Sequence, residues 1–197
     1  QSYFPWHCTF LNDANAGAFA EGIGSDLPSS FFYLSLSNTV GGAIFHDGNL
    51  LPGDAFRCGE AGHMTLIPDG KPCYCGKTGC VDAYCSARLL SDLSGGRLED
   101  FFLGLQQNNP DYRSVWDTYL KHLAVVINNL HMILDYDIVL GGYVGSFLSP
   151  WLDTIRRLVA EHNTFEDDGS FVKLCTYQTG AAAYGAAMDV MEEFLRT

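Results

Sequence analysis

The chain has 197 residues, 47% of them hydrophobic and 17% charged, and carries a formal net charge of −12 at pH 7. That length suffices for one well-buried domain, and the acidity excludes a surface that by itself grips nucleic-acid phosphates or an anionic membrane. No apolar run approaches the roughly 20 residues of a bilayer span, and the opening Gln1-Ser2-Tyr3-Phe4-Pro5-Trp6 lacks the basic start and long apolar run of a signal peptide.

Cys8-Thr9-Phe10-Leu11 reads as a short strand ending at Asn12-Asp13. A helix of small residues follows, with Ala14, Ala16, Ala18, Phe19 and Ala20 before Gly22. Residues 31–36 and 40–46 read as paired strands joined through Ser37-Asn38-Thr39, and His46-Asp47-Gly48-Asn49 is a hairpin turn signal. His63 to Ile67 reads as a further strand, closed by the turn Pro68-Asp69-Gly70. The chain then turns helical over residues 81–93 and again from Leu98 to Leu105. A long helix is expected over 111–134, where Trp116, Leu120, Leu123, Ile127, Leu130 and Leu134 recur at steps of four and three. Ile138-Val139-Leu140 is a short strand running into Gly141-Gly142, and Ser149 is placed to cap a helix starting at Pro150. Phe171 to Cys175 reads as a last strand and Gly180 to Leu195 as a closing helix. Strands alternating with helices argue for an α/β domain, with no linker long enough to divide it.

Five groups of residues carry possible chemistry. His63, Cys73, Cys75 and Cys80 follow the spacing His-x9-Cys-x-Cys-x4-Cys, and three thiolates with one imidazole complete a tetrahedral zinc set with no position left for water. Such a site is structural: it pins a loop. Cys8, Cys58, Cys85 and Cys175 are scattered singly and read as buried thiols in a reducing cytoplasm. Asn12-Asp13, where a strand meets a helix, supplies either a general base or a helix N-cap. Two glycine turns come next. Val40-Gly41-Gly42-Ala43 after Ser37-Asn38-Thr39 is either a phosphate cradle, though without a Walker lysine, or a plain hairpin connection. Gly141-Gly142-Tyr143-Val144-Gly145 either admits a flat ligand or makes a tight strand-to-helix turn. Last, Glu60 and Asp82 flank the metal ligands as acceptors for sugar hydroxyls, or as surface charge.

Taken together these residues resemble the ROK family, which contains sugar kinases and sugar-responsive repressors. Leu11-Asn12-Asp13-Ala14-Asn15 looks like the family's Asn-Asp-x-Asn segment, and Gly59-Glu60-Ala61-Gly62-His63-Met64 like its sugar-binding segment. Cys73-Tyr74-Cys75-Gly76-Lys77-Thr78-Gly79-Cys80 looks like its zinc signature, and Val139-Leu140-Gly141-Gly142 is similar to its adenosine-side turn. The resemblance implies an actin-like, RNase H-like fold. It also implies sugar contacts at Asn12, Asp13, Glu60, His63 and Asp82, with Asp13 as the base in a kinase, and a nucleotide side at Gly41, Gly42, Gly141 and Gly142. Asp82 stands where the family usually has Glu, so its carboxylate sits on a side chain one methylene shorter.

Nothing resembles the Asp-x-Gly-x-Thr loop of the family's N-terminal lobe, so residues 1–197 read as the C-terminal lobe. Ser37-Asn38-Thr39 replaces the usual Gly-Thr-Gly, which adds β-carbons where backbone approaches ATP and limits positive φ. On that ground the expected function is the effector-sensing part of a sugar-responsive transcriptional regulator, reaching DNA only through an upstream domain. The alternative is an ATP-dependent sugar kinase, with Mg²⁺, phosphorylating a hexose or N-acetylhexosamine. A homodimer through the helical large lobe, implied by the resemblance and by the apolar surface of the 111–134 helix, a cytoplasmic location and no membrane partner complete the expectation.

Overall fold

The computed structural model describes residue 8 and residues 10–196. The chain forms α1 (Asp13–Gly24), β1 (Phe31–Leu36), β2 (Val40–His46) and β3 (Asn49–Leu50), then the short helices α2 (Asp82–Cys85) and α3 (Arg88–Ser91). It continues through α4 (Leu98–Gln106), α5 (Pro110–Leu134), β4 (Asp137–Gly141), α6 (Gly142–Gly145), α7 (Leu152–Ala160), β5 (Val172–Leu174) and α8 (Ala181–Arg196). The strands make one mixed sheet in the order β3-β2-β1-β4-β5. β1 pairs antiparallel with β2 and parallel with β4, and β4 pairs parallel with β5.

β1 is central and buried along its whole length, which explains its unbroken run Phe31-Phe32-Tyr33-Leu34-Ser35-Leu36. Successive side chains point to opposite faces of a strand. Phe32, Leu34 and Leu36 therefore join Trp116, Leu120, Leu123 and Ile127 of α5 in the larger core. Phe31 and Tyr33 face the other way, onto Ala18 and Phe19 of α1 and Ala181 of α8. The outcome is a sheet between two helical layers, the actin-like arrangement expected.

The long helix runs as its spacing predicts. Asn109 caps it by accepting from the amides of Asp111 and Tyr112, Pro110 occupies its first turn, and Asp135 ends it in the left-handed region. Its apolar stripe is spent inside the fold, however. Trp116, Leu120, Leu123, Ile127 and Leu130 are all buried, so the stripe does not itself supply the surface for a dimer. The β2–β3 turn uses Asp47 and Gly48, both at positive φ, as a tight hairpin requires.

Several expectations fail for identifiable reasons. Cys8, Phe10 and Leu11 form no strand, because the sheet ends at β3 and β5 and exposed Phe10 has no strand beside it among the described residues; Thr9 and the opening Gln1-to-Trp6 segment lie outside the described residues. His63 to Ile67 is not a strand: His63 closes a 3-10 turn, Ala61–His63, and only Thr65 bridges, to Cys80. The helix expected over 81–93 breaks into α2, α3 and a 3-10 turn, Asp92–Ser94. The break falls at Ser86, whose backbone is extended, and there the amide of Ala87 leaves the helix to bond the Ser37 carbonyl at 2.8 Å. Ser149 caps nothing; it opens a 3-10 turn, and α7 starts at Leu152. Of the four scattered cysteines only Cys85 and Cys175 are buried; Cys8 is exposed ahead of α1, and Cys58 is half-buried in the loop before Glu60. No helix among the described residues is long and apolar enough to cross a membrane.

Candidate functional site

The metal-ligand set comes together as its spacing predicts. One ligand atom from each of His63, Cys73, Cys75 and Cys80 lies within 4.8 Å of all the others. The sulfurs of Cys75 and Cys80 are 3.7 Å apart. That is far beyond the roughly 2.05 Å of a disulfide. It agrees with the separation of about 3.8 Å that two thiolates have when each sits about 2.3 Å from one tetrahedral zinc. The donor set and its spacing therefore fit a closed zinc site.

The loop is folded to make this possible. The amide of Gly76 bonds the Cys73 carbonyl at 3.0 Å, and the amide of Cys73 bonds the Lys77 carbonyl at 2.8 Å, a tight turn that turns the thiols inward. Gly79 takes a φ of +79° against the Ile67 carbonyl, leaving no room for a side chain. The Tyr74 hydroxyl lies 3.3 Å from Nε2 of His63. Partial desolvation raises that hydroxyl's pKa above its ordinary value, and the carboxylates of Asp82 and Glu60, with the thiols of Cys73 and Cys75, raise it further. Glu60 and Asp82 thus share one neighbourhood with the metal set.

Asn12 and Asp13 divide the two roles that sequence left open. Asn12 is the cap of α1, its side-chain oxygen accepting from the amides of Ala14 (2.9 Å) and Asn15 (3.4 Å). Asp13 is the first helical residue and is exposed, with one oxygen 2.9 Å from the Ala14 amide. The first turn of α1 lies on the start of β2, since a β-carbon on Gly41 would touch that of Ala14 at 3.4 Å. The turn carrying Glu60 and His63 lies on the same strand, with Gly62 packed against the Val40 carbonyl. Asp13, Glu60 and His63 are therefore arranged about one end of β2.

Asp82 behaves differently from Glu60. It is only 7% exposed, and its Oδ1 accepts the backbone N–H of Val40 at 2.6 Å. The glycines are also accounted for internally. Gly42 is buried where a β-carbon would meet the Phe32 ring and the Gly59 carbonyl, and Gly142, at a φ of +76°, packs against the backbone of Leu36. None of Ser37, Asn38 and Thr39 has positive φ, so the three non-glycine residues sit there without backbone strain.

Next to that loop lies a cavity of about 280 Å³, lined by Asn38, Ala87, Leu98, Glu99, Tyr143 and Phe147 among others. Sequence reasoning singled out two of these, Asn38 in the Ser37-Asn38-Thr39 turn and Tyr143 directly after Gly141-Gly142, and missed Ala87, Leu98, Glu99 and Phe147, which come from other segments and carry no local signal.

The sequence profile of the ROK family matches residues 1–193. N-acetylmannosamine kinase of Salmonella typhi is 30% identical over 188 residues, which is 90% of this chain and 62% of that protein. The ROK hexokinase of Thermus thermophilus superposes with a TM-score of 0.75 at 26% identity, over 95% of this chain and 66% of that one. A ROK family transcriptional regulator, a homologue of the E. coli MLC protein, superposes with a TM-score of 0.69 at 22% identity, over 90% of this chain and 51% of that one. The chain spans somewhat under two thirds of the length of the curated kinase it resembles.

Proposed function

The chain belongs to the ROK family, and on that premise we propose that it is the sugar-binding, base-carrying lobe of an ATP-dependent sugar kinase acting on a hexose or N-acetylhexosamine. The observation that carries this is Asp13. Asn12 takes the capping role, which leaves an exposed carboxylate in the first turn of α1, beside the strand end where Glu60 and His63 also lie.

The likeness to N-acetylmannosamine kinases in sequence supports an enzyme and favours an N-acetylhexosamine. The regulator shares the fold at a lower identity, which supports no more than the fold. The case for a sensor rested on lost glycines at Ser37-Asn38-Thr39, and that case weakens because the backbone there needs no positive φ.

In this reading Asp13 accepts the proton of the attacking sugar hydroxyl, and Glu60, His63 and Asn12 orient the ring around it. His63, Cys73, Cys75 and Cys80 would hold a zinc ion, whose part would be to fix His63 and its loop. The nucleotide side is the cavity lined by Asn38 and Tyr143, with the turns at Gly41-Gly42 and Gly141-Gly142 serving it by their internal packing. ATP with Mg²⁺ supplies the phosphoryl group, and catalysis is mainly positioning. A cytoplasmic location and a homodimer belong to the same reading; sedimentation of the full-length protein as a monomer would count against the dimer.

The test is a coupled assay of the full-length protein with ATP on N-acetylmannosamine, N-acetylglucosamine and glucose. Turnover is expected with at least one, and Asp13→Asn is expected to lose on the order of 10²–10⁴ in kcat, with sugar affinity kept within several-fold. Tight sugar binding without turnover would return the protein to the sensor class.

A further inference from the structure

We propose that Asp82 is a positioning residue that clamps the loop Ser37–Val40 and so ties the shape of the neighbouring cavity to metal occupancy. The proposal rests on the zinc reading of His63, Cys73, Cys75 and Cys80, and it holds whether or not the protein transfers phosphate.

The loop is gripped at both ends by one short segment. Its last residue, Val40, donates its amide to Asp82 Oδ1 at 2.6 Å, and its first, Ser37, accepts from the amide of Ala87 at 2.8 Å. That segment starts at the metal. Cys80 is a ligand, the next residue, Val81, donates to the Met64 carbonyl at 2.9 Å beside His63, and Asp82 follows. The chain of contacts therefore runs from the metal, through residues 80–87, to both ends of the loop. Asn38 from the loop and Ala87 from the segment then line the same cavity of about 280 Å³.

Asp82 opens α2, and its carboxylate, carried on a single methylene, accepts the Val40 amide directly at 2.6 Å. Both residues are buried, so this charge-assisted bond is sheltered from competing water. The interruption of the helix at Ser86 belongs to the same clamp, since it frees the Ala87 amide for Ser37.

The experiment compares amide hydrogen exchange at Val40, read residue by residue by NMR, in the full chain with zinc and after its removal by a chelator. Wild type, Asp82→Ala and Asp82→Asn are measured, and zinc content is determined for each. Zinc loss is expected to speed Val40 exchange at least tenfold in wild type. Asp82→Ala is expected to keep one zinc per chain, exchange quickly from the start, and respond to chelation by less than twofold. Asp82→Asn keeps an acceptor oxygen without the charge; it serves if the alanine variant does not fold, and Val40 is expected to exchange several-fold faster than in wild type with zinc retained. A Val40 amide in zinc-loaded wild type that ignores chelation overturns the clamp alone. So does either variant that folds, holds zinc and protects Val40 as wild type does. A chain that takes up no zinc on reconstitution overturns the metal reading and the clamp together, while leaving phosphoryl transfer to its own assay.

Discussion

The hydroxyl of Tyr84 on α2 accepts the backbone N–H of Lys71 at 2.7 Å, fastening the near limb of the metal loop to the helix beyond its last ligand. Tyr84 is itself buried in the main core, and its ring meets His122 of α5 edge-on at 4.9 Å. The two limbs of the loop are thus joined to one wall by a bond that involves none of the four metal-ligand candidates, and such a tie lowers the entropy lost when a metal orders its ligands.

Tyr84→Phe removes that acceptor and little else. The Lys71 amide is partly accessible, so water takes over part of the bond, and the expected loss of stability is about 1 kcal/mol. Zinc should also leave several-fold faster, because the limb carrying Cys73 is less restrained. Urea unfolding measures the first effect and transfer of zinc to a chelating dye the second. Release at the wild-type rate would mean that the ligands order the loop without Tyr84.

Cys75→Ser tests whether the metal serves the sugar. Cys75 is the exposed thiol of the set and packs against little besides the other ligands, so its removal deletes a ligand without opening a core cavity. Zinc content should fall from one per chain to near zero, and sugar affinity should fall with it, since His63 loses its anchor. Elemental analysis paired with calorimetry on the same preparation decides this. Unchanged sugar affinity in the metal-free variant would separate the two functions.

Gly185→Ala tests the layer that carries Asp13. α8 runs against α1, and Gly185 is buried at their closest approach, where a β-carbon would overlap the carbonyl oxygen of Ala16. Backbone cannot yield as a side-chain tip can. The helices must move apart, at a cost of about 1–3 kcal/mol, and α1 shifts with Asp13, the residue proposed above as the base. A lower urea midpoint is expected, together with a kcat that falls more than sugar affinity does.

The sequence was most legible where a single physical rule acts over a long stretch. α5 follows from one apolar stripe, β1 and β4 from apolar runs too short for helices, and the metal set from thiols spaced for one ion. It was least legible where a distant partner intervenes. Val81, Tyr84, Cys85, Leu89 and Leu93 keep a helical rhythm through Ser86, yet the helix stops there because Ser37 draws away the amide of Ala87. The same limit applies to the site. Nothing local says whether Asn12 or Asp13 takes the cap, and the cavity beside Asn38 exists only once α4, α6 and the β1–β2 loop have met.

The buried thiols set a limit on stability at high pH. Cys175 donates to Glu21 Oε1 at 2.9 Å between α1 and the start of α8. Burial first, and then the bond and charge of Glu21, push its pKa up to about 12. Burial also raises Cys85, with the Asp82 charge adding to it. In the unfolded chain both thiols titrate near about 8.5. The folded state then holds protons that the unfolded state has lost, so this contribution is complete below about pH 8.5 and declines as pH rises toward 12. The urea midpoint should therefore drop between pH 8 and pH 10.5. Iodoacetamide at pH 8.5, followed by peptide mass spectrometry, should leave Cys85 and Cys175 unmodified in the native protein and modify both after unfolding. Glu21→Gln keeps an acceptor for the thiol but removes the charge. Because burial is the larger cause, Cys175 should stay protected in that variant, and rapid labelling there would assign the protection to the carboxylate instead.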